Sequence, residues 1–285
     1  MLDFIFAVDD TKEWHRINLK QNYKHYSGLR FCGLSAIEKV QKCGSHIYFN
    51  PHIKINDYEM KYGLISCQDL IKDLSEWDTL YASGRMHKPI NIITSDDEIM
   101  HYQHKNLNAA LHTALLQLPK EFSERELFLK IAGLSYTGDV RMKFAENPHK
   151  VSNIVSGQHR MFREIYEPLI DKSTVVKYMR GAYLEQDVSL EGRKNIVSKL
   201  PVNLVRILSQ ELGLQVTADW KSDQFNHELT HAIIQNREMP ATLRHTLQTL
   251  ISKTSLSQTA KGLLTGGILR SSKYALRKIR KRYFQ

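Results

Sequence analysis

The period of the apolar residues changes once along this chain, and no other feature restricts its fold class as much. In the front part, strand-length apolar runs alternate with amphipathic stretches. Leu2–Val8, closed by Asp9 and Asp10, predicts a buried strand. Residues 13–22 and 34–42 predict helices, and residues 47–49, 53–55 and 59–66 predict strands. Over residues 69–82, Leu70, Ile71, Leu74, Trp77, Leu80 and Tyr81 recur at three- and four-residue spacing, which predicts one amphipathic helix. Residues 89–94 predict another strand, with Pro89 at its tolerated first position. The period then becomes helical. Residues 105–118, 159–170 and 202–212 predict helices, and 123–134 predicts one opened by a capping box of Ser123 and Glu126. Residues 181–192 and 199–201 read as loops. Residues 243–251 predict a further helix before a Ser/Thr/Gly-rich stretch over 252–267. Alternation followed by helices makes this an α+β chain, with a boundary near Pro119.

Size and charge narrow the classes. The chain has 285 residues, 42% hydrophobic and 25% charged, enough for one large or two small domains. Collagen-like and wholly disordered chains are excluded. No run approaches the ~18 consecutive apolar residues of a membrane span, so membrane contact is expected to be peripheral. Forty Lys and Arg against thirty Asp and Glu give a net charge of +10. Glu238 is the last acidic residue and ten basic residues follow it, so a neutral body carries a cationic C-terminal segment. Such a segment suits a polyanion or an anionic membrane. Within it Ile268, Leu269, Ser272, Leu276, Ile279 and Tyr283 line one helical stripe. Arg270, Lys273, Arg277, Lys278, Arg280, Lys281 and Arg282 surround that stripe. This basic amphipathic pattern predicts a helix lying in a bilayer interface. A solvated helix and a nucleic-acid patch are the alternatives, and no RNA-binding aromatic motif or GxxG clamp supports the last.

Cys32, Cys43 and Cys67 form no CxxC pair and read as buried thiols in a reducing compartment. The opening residues lack the basic segment and cleavage site of a signal peptide, and the Arg-rich, acid-poor make-up of a transit peptide. A strand at the very start fits a domain whose first residue pairs, or a chain beginning at an internal methionine of a longer protein.

Two constellations carry chemistry. His227, Glu228 and His231 match HExxH, in which two imidazoles at i and i+4 share a zinc ion and the Glu acts as base. A third ligand is missing from the usual places: Ile234 and Arg237 stand where a metzincin has Gly and His. The second constellation suits phosphate. Asp3 projects from the first strand, where a carboxylate can hold Mg²⁺ against phosphate oxygens. Lys61-Tyr62-Gly63 and Gly84-Arg85 with Lys88 place cations and a backbone-permissive glycine at predicted strand ends. Ala132 to Met142 ends a helix in a Gly-flanked turn bearing Asp139 and Arg141, which reads as an Asp–Arg cap or as a polar loop over a nucleotide.

These residues lie in segments that closely resemble the mitochondrial translocator assembly and maintenance family: MLDFIFAVD from Met1, Trp14-His15, His25-Tyr26-Ser27, KYGLIS from Lys61, Leu80-Tyr81, Gly84-Arg85, Lys88-Pro89 and IAGLSYTGDVRM from Ile131. Members of that family are peripheral phosphatidate cytidylyltransferases, also called CDP-diacylglycerol synthases. The resemblance implies a nucleotidyltransferase-like α/β domain over residues 1–118, N-terminally incomplete. It implies a mainly helical, winged-helix-like domain over 119–238 and a basic, membrane-associating tail over 239–285. The implied reaction converts CTP and phosphatidate into CDP-diacylglycerol and pyrophosphate with Mg²⁺, for cardiolipin synthesis. The implied place is the matrix side of the mitochondrial inner membrane, on its anionic surface, with no nucleic-acid partner; the oligomeric state stays open. Asp3 is then the metal ligand, and Asp3, Lys61, Arg85 and Lys88 the catalytic set. Tyr62, Gly84, Asp139 and Arg141 would line the substrates. Two departures follow. Family members carry a phosphate-gripping Gly-Ser turn upstream of the MLDF stretch, so this form is expected to be weak or inactive. The superfamily's second acid at i+2 is replaced by Ile5, which leaves Asp57, Glu59 and Asp97 as candidates.

Overall fold

The computed structural model describes residues 2–144, 147–214 and 227–266. In chain order the elements open with β1 (Leu2–Val8), α1 (Thr11–Gln21), 3-10 turns over Tyr23–His25 and Gly28–Cys32, α2 (Leu34–Lys42), β2 (Tyr48–Ile55) and β3 (Tyr58–Ser66). There follow α3 (Cys67–Glu76), α4 (Ala82–Met86), α5 (Asp97–Leu115), β4 (Glu121–Ser123), α6 (Glu124–Leu134), α7 (Val140–Phe144) and α8 (Lys150–Asp171). The rest are β5 (Val176–Tyr178), β6 (Tyr183–Gln186), α9 (Leu190–Ser198), α10 (Val202–Glu211), α11 (His227–Gln235) and α12 (Met239–Gly266). The fold is mixed α+β with small sheets, and no described helix is long and apolar enough to cross a membrane.

Two compact units result. The first takes the described residues of Met1–Lys72, Val140–Asn147 and Ser252–Gln285, and the second takes Asp73–Asp139 and Pro148–Ile251. In the first, the sheet order is β1-β3-β2, with β1 parallel and β2 antiparallel to β3. Asp10 caps α1 by accepting from Lys12 N and Glu13 N. The two strands expected over residues 47–55 merge into β2, kinked by a register shift between Asn50 and Ile53 where His52 takes φ +58°. The expectation of a buried first strand is corrected: β1 is an edge strand, and Leu2 and Phe6 are 48% and 41% exposed. Cys32 and Cys43 are likewise exposed rather than buried, and Cys67 is half-buried; none of the three is in a disulfide.

The second unit is built around one large core that includes Trp77, Phe128, Phe162, Tyr166, Leu204 and Leu243. Beside it lies the antiparallel sheet β4-β6-β5. The capping box forms as expected: Ser123 Oγ accepts from Glu126 N, and Glu126 reaches back to Ser123 N at 2.7 Å. Fully buried Glu124 accepts from Arg163 Nε at 2.8 Å and Nη2 at 2.6 Å and from Tyr178 Oη at 3.0 Å, clamping α6 to α8 and β5.

Three expectations fail here, and one helix runs further than expected. The single helix over 69–82 breaks, because the Asp73 carboxylate accepts from Thr79 N, Thr79 Oγ1, Leu80 N, Ser83 N and Ser83 Oγ at 2.7–2.9 Å. Those bonds bend the chain through Trp77 and Leu80, both at positive φ. Residues 89–94 form no strand; no sheet edge pairs with them, and Ile93 is 78% exposed. The loop expected over 181–192 contains β6 and the start of α9. The Ser/Thr-rich stretch after Ile251 continues α12, its hydroxyls bonding carbonyls one turn back, as Thr259 Oγ1 does to Ser255 O at 2.7 Å.

Candidate active site

The first unit sets a carboxylate and a cation side by side. Asp3 on β1 is in register with Lys61 on β3, and paired residues of adjacent strands share a sheet face. Asp3 is exposed and Lys61 half-buried. The Lys61 ammonium stands 3.7 Å from the Phe49 ring centre, a cation–π contact. Gly63 makes room for that ring, since a Cβ there would lie 2.5 Å from Phe49 Cε1.

Tyr62 faces the opposite side of the sheet. Its hydroxyl accepts from Asn18 Nδ2 at 2.9 Å and bonds His25 Nδ1 at 2.9 Å. Behind it, buried His15 donates from Nε2 to Gln41 Oε1 at 3.2 Å and accepts at Nδ1 from the Tyr26 hydroxyl at 2.8 Å. Burial lowers the His15 pKa to about 4, so the ring is neutral. Together these bonds fix the strand that carries Lys61.

Among the described residues, no cluster of three His, Cys, Asp or Glu side chains could close around a metal ion. One exposed carboxylate instead suits a Mg²⁺ ion arriving on a phosphate ligand, because Mg²⁺ is held by one or two carboxylates plus substrate oxygens. Of the other acids considered, Glu59 bonds His52 at 2.8 Å, Asp57 sits in the β2–β3 turn, and Asp97 opens α5 in the second unit.

Cations gather around an aromatic ring in the second unit. The Lys88 ammonium donates to Gly84 O and, at 2.8 Å, to Ser135 Oγ. It stands 5.1 Å from the Tyr136 ring centre, and the Lys150 ammonium stands 5.2 Å from the same centre. Arg85 bonds Tyr81 Oη at 3.0 Å. Burial of the Lys88 ammonium, then repulsion from Arg85 and Lys150, lowers its pKa to about 7. Gly84 lets the turn after α6 approach, as a Cβ would lie 2.6 Å from Ser135 Cβ. Gly138 has φ +82° and packs on Gln248, where a Cβ would meet the backbone oxygen at 2.6 Å.

A buried frame holds this cluster. Asn106 on α5 accepts from Trp77 Nε1 at 2.8 Å and from His87 Nε2 at 3.0 Å, and donates to Ser83 O at 3.1 Å. Gln103 Nε2 donates to Met86 O, and Tyr166 Oη to His87 O, both at 2.8 Å.

Of the residues singled out in the sequence, Gly84, Arg85, Lys88 and Asp139 lie in the second unit, whereas Asp3, Lys61, Tyr62 and Arg141 lie in the first. Arg85 and Lys88 belong to α4 and its C-terminal end rather than to a strand entrance. Asp139 is buried. The sequence reading misses Asn106 and Lys150, and gives Tyr81, Ser135 and Tyr136 no role of their own although they fall in the segments it singles out. Lys150 carries one signal: it sits in the first turn of α8, where the helix dipole disfavours a cation. The HExxH motif falls on α11, whose Leu229 and Ile233 join the core while Glu228 is exposed; the side chain of His227 lies outside the described set. Arg270, Lys273, Arg277, Lys278, Arg280, Lys281 and Arg282 also lie outside the described residues.

Comparison with known proteins adds three relatives and a family. Residues 1–281 match the family described as phosphatidate cytidylyltransferase, mitochondrial. A protein of that name from Danio rerio is 38% identical over 285 residues, covering 99% of this chain and 83% of the relative. The Mus musculus protein of the same name matches at 38%, with the same coverage. The Schizosaccharomyces pombe protein is 36% identical over 301 residues, covering 99% of this chain and 74% of its own length.

Proposed function

The chain belongs to the family of mitochondrial phosphatidate cytidylyltransferases, and on that footing we propose that it transfers the cytidylyl group of CTP to phosphatidate. A phosphatidate oxygen bonds to the α-phosphorus of CTP as the bond to the pyrophosphate oxygen breaks, giving CDP-diacylglycerol and pyrophosphate. The observation that carries this reading is a family match running through nearly the whole chain, both units included.

The chain's residues suit the task of positioning and charge neutralisation. Asp3 would hold Mg²⁺, which when bound spreads the charge of the triphosphate. Lys61 beside it supplies a cation on the same sheet face. Arg85, Lys88 and Lys150 offer a second set of cations, and Lys88 is oriented by two acceptors before any ligand arrives. Asp139 and Arg141 complete the assigned set. The parallel β1–β3 pair supports a nucleotidyltransferase-like front domain, and the β4-β6-β5 sheet among helices supports a winged-helix-like second domain. The lipid substrate and the cationic C-terminal segment support work at the matrix face of the inner membrane, in cardiolipin synthesis.

Pyrophosphate release with CTP, phosphatidate and Mg²⁺ tests the reading, with the Danio rerio relative measured alongside. CTP-dependent release is expected; whether this form runs more slowly is read in the same assay. Asp3→Asn and Lys88→Ala should each lower kcat/KM by at least about a hundredfold. Release that ignores CTP, or an Asp3→Asn variant as fast as wild type, overturns the assignment.

A further inference from the structure

Residues 252–266 of α12 are packed inside out. Their buried positions are polar: Thr254, Ser255, Gln258, Lys261 and Thr265 are all at most 8% exposed. Exposed beside Lys253 are three large apolar residues: Leu256, Leu263 and Leu264 are 48–57% exposed. At about 100° per residue, Leu256 and Leu263 project opposite to Thr254, Gln258, Lys261 and Thr265, and Leu264 projects from the flank between the two faces. A helix that covers a core in water shows the reverse arrangement.

Two inward side chains reach carbonyls on the rest of the first unit. The Lys261 ammonium donates to Cys43 O at 2.8 Å and Gln41 O at 3.3 Å, closing the C-terminal end of α2. Gln258 Nε2 donates to Ile47 O at 3.4 Å. Those partners therefore fix which side faces out.

A second apolar group is tied to the same helix. Ser27 Oγ donates to Leu264 O at 2.7 Å. On either side of Ser27 in the chain, Tyr23 and Phe31 are 44% and 73% exposed, and their rings lie 6.2 Å apart. The Arg30 guanidinium stands 4.3 Å from the Tyr23 ring centre and 4.8 Å from that of Phe31. Neither contributing segment carries an acid. Residues 14–37 hold Arg16, which pairs with Glu13 just before them, and Lys20, Lys24 and Arg30, with no Asp or Glu, and residues 239–285 hold ten cations with none.

We propose that this face, Leu256, Leu263 and Leu264 with Tyr23 and Phe31, docks on an anionic lipid bilayer. Exposed leucines and aromatics amid cations match what an interfacial surface needs: apolar groups for the acyl boundary and cations for the headgroups. Two copies of a face with cations and no acids would repel each other, which disfavours a dimer. A nucleic acid would leave the leucines without a role. The proposal rests on the lipid-substrate reading only in choosing the bilayer as occupant; the inverted helix stands without it.

Flotation of the full chain with phosphatidylcholine vesicles, with and without phosphatidylglycerol, tests it; phosphatidylglycerol keeps the substrate out of the binding measurement. Wild type should float with the anionic vesicles. A Leu263→Glu/Leu264→Glu variant should lose at least about tenfold in partitioning, and Leu263→Ile/Leu264→Ile should retain it, which separates docking from misfolding. Phe31→Ser should weaken partitioning as well. Turnover of a water-soluble short-chain phosphatidate should stay within about twofold in all three. Undiminished flotation of the Glu variant overturns the proposal. So does a wild-type dimer, seen by light scattering, that the Glu variant splits, or RNA binding lost while flotation persists. Glu-sensitive flotation in a chain without CTP turnover supports docking and removes the proposed reaction instead.

Discussion

At the scale of single residues, burial decides which groups titrate. His15 in the first unit has its pKa lowered to about 4 by burial. His87 in the second is lowered to about 3 by burial and then by Lys88. Both folded values lie below the unfolded value of 6.5. Between the folded and unfolded values the unfolded chain binds protons that the folded chain refuses, so stability is full above about pH 6.5 and falls as the pH drops toward 4 and 3. Each proton contributes about 1.4 kcal/mol per pH unit within its window. Urea unfolding measured from pH 7 to 4 should show this slope, and His15→Gln should reduce it by about one proton. An unchanged slope would place the His15 ring in water. Lys88 resembles His87 and differs from His15 in that its lowered pKa comes from like charges as well as burial. That crowding is a cost which a bound phosphate group would relieve.

Elements here are placed by single polar side chains as much as by apolar stripes. Asp73 is the strongest instance: its two oxygens take five hydrogen bonds from residues 79–83 and so create both the end of α3 and the start of α4. Since α4 carries Gly84 and Arg85 and leads to Lys88, that one carboxylate positions the cation cluster without being part of it. Asp73→Ala should destabilise the protein by about 3 kcal/mol, from donors left buried and unpaired. It should also lower kcat/KM, while Asp73→Asn, which keeps one acceptor oxygen, should fall between. Equal urea midpoints for Asp73→Ala and wild type would show that the 77–83 bend is held by packing alone.

For the whole molecule, the governing fact is the distribution of charge. All of the net charge of +10 is attributable to the segment after Glu238, and its last seven cations run from Arg270 to Arg282. Near an anionic surface each cation contributes about 1 kcal/mol, and salt screens it. Deleting residues 268–285 should therefore lower turnover of phosphatidate presented in vesicles, and make the remainder less salt-sensitive. Turnover of the short-chain soluble substrate should be unchanged. A deletion that slows both substrates alike would show that the segment serves the reaction rather than its location.

Much of this protein is written locally. The bounds of α2, the capping box at Ser123 and Glu126, the β3 strand under Lys61 and the asymmetry of charge all follow from neighbours within a turn or two. So does the family, through motifs whose order survives along the chain. Tertiary structure alone decided the rest. Periodicity kept Trp77 and Leu80 in the core, but the Asp73 carboxylate, by folding back onto donors six to ten residues ahead, broke their helix. Residues 89–94 have strand character and no strand to pair with. Lys150 meets Tyr136 only because two turns of chain pack together, and the helix after Ile251 turns its leucines outward because Lys261 and Gln258 find carbonyls inside. A sequence records what each residue prefers, whereas a hydrogen-bond partner or a sheet edge far along the chain exists only once the fold has formed.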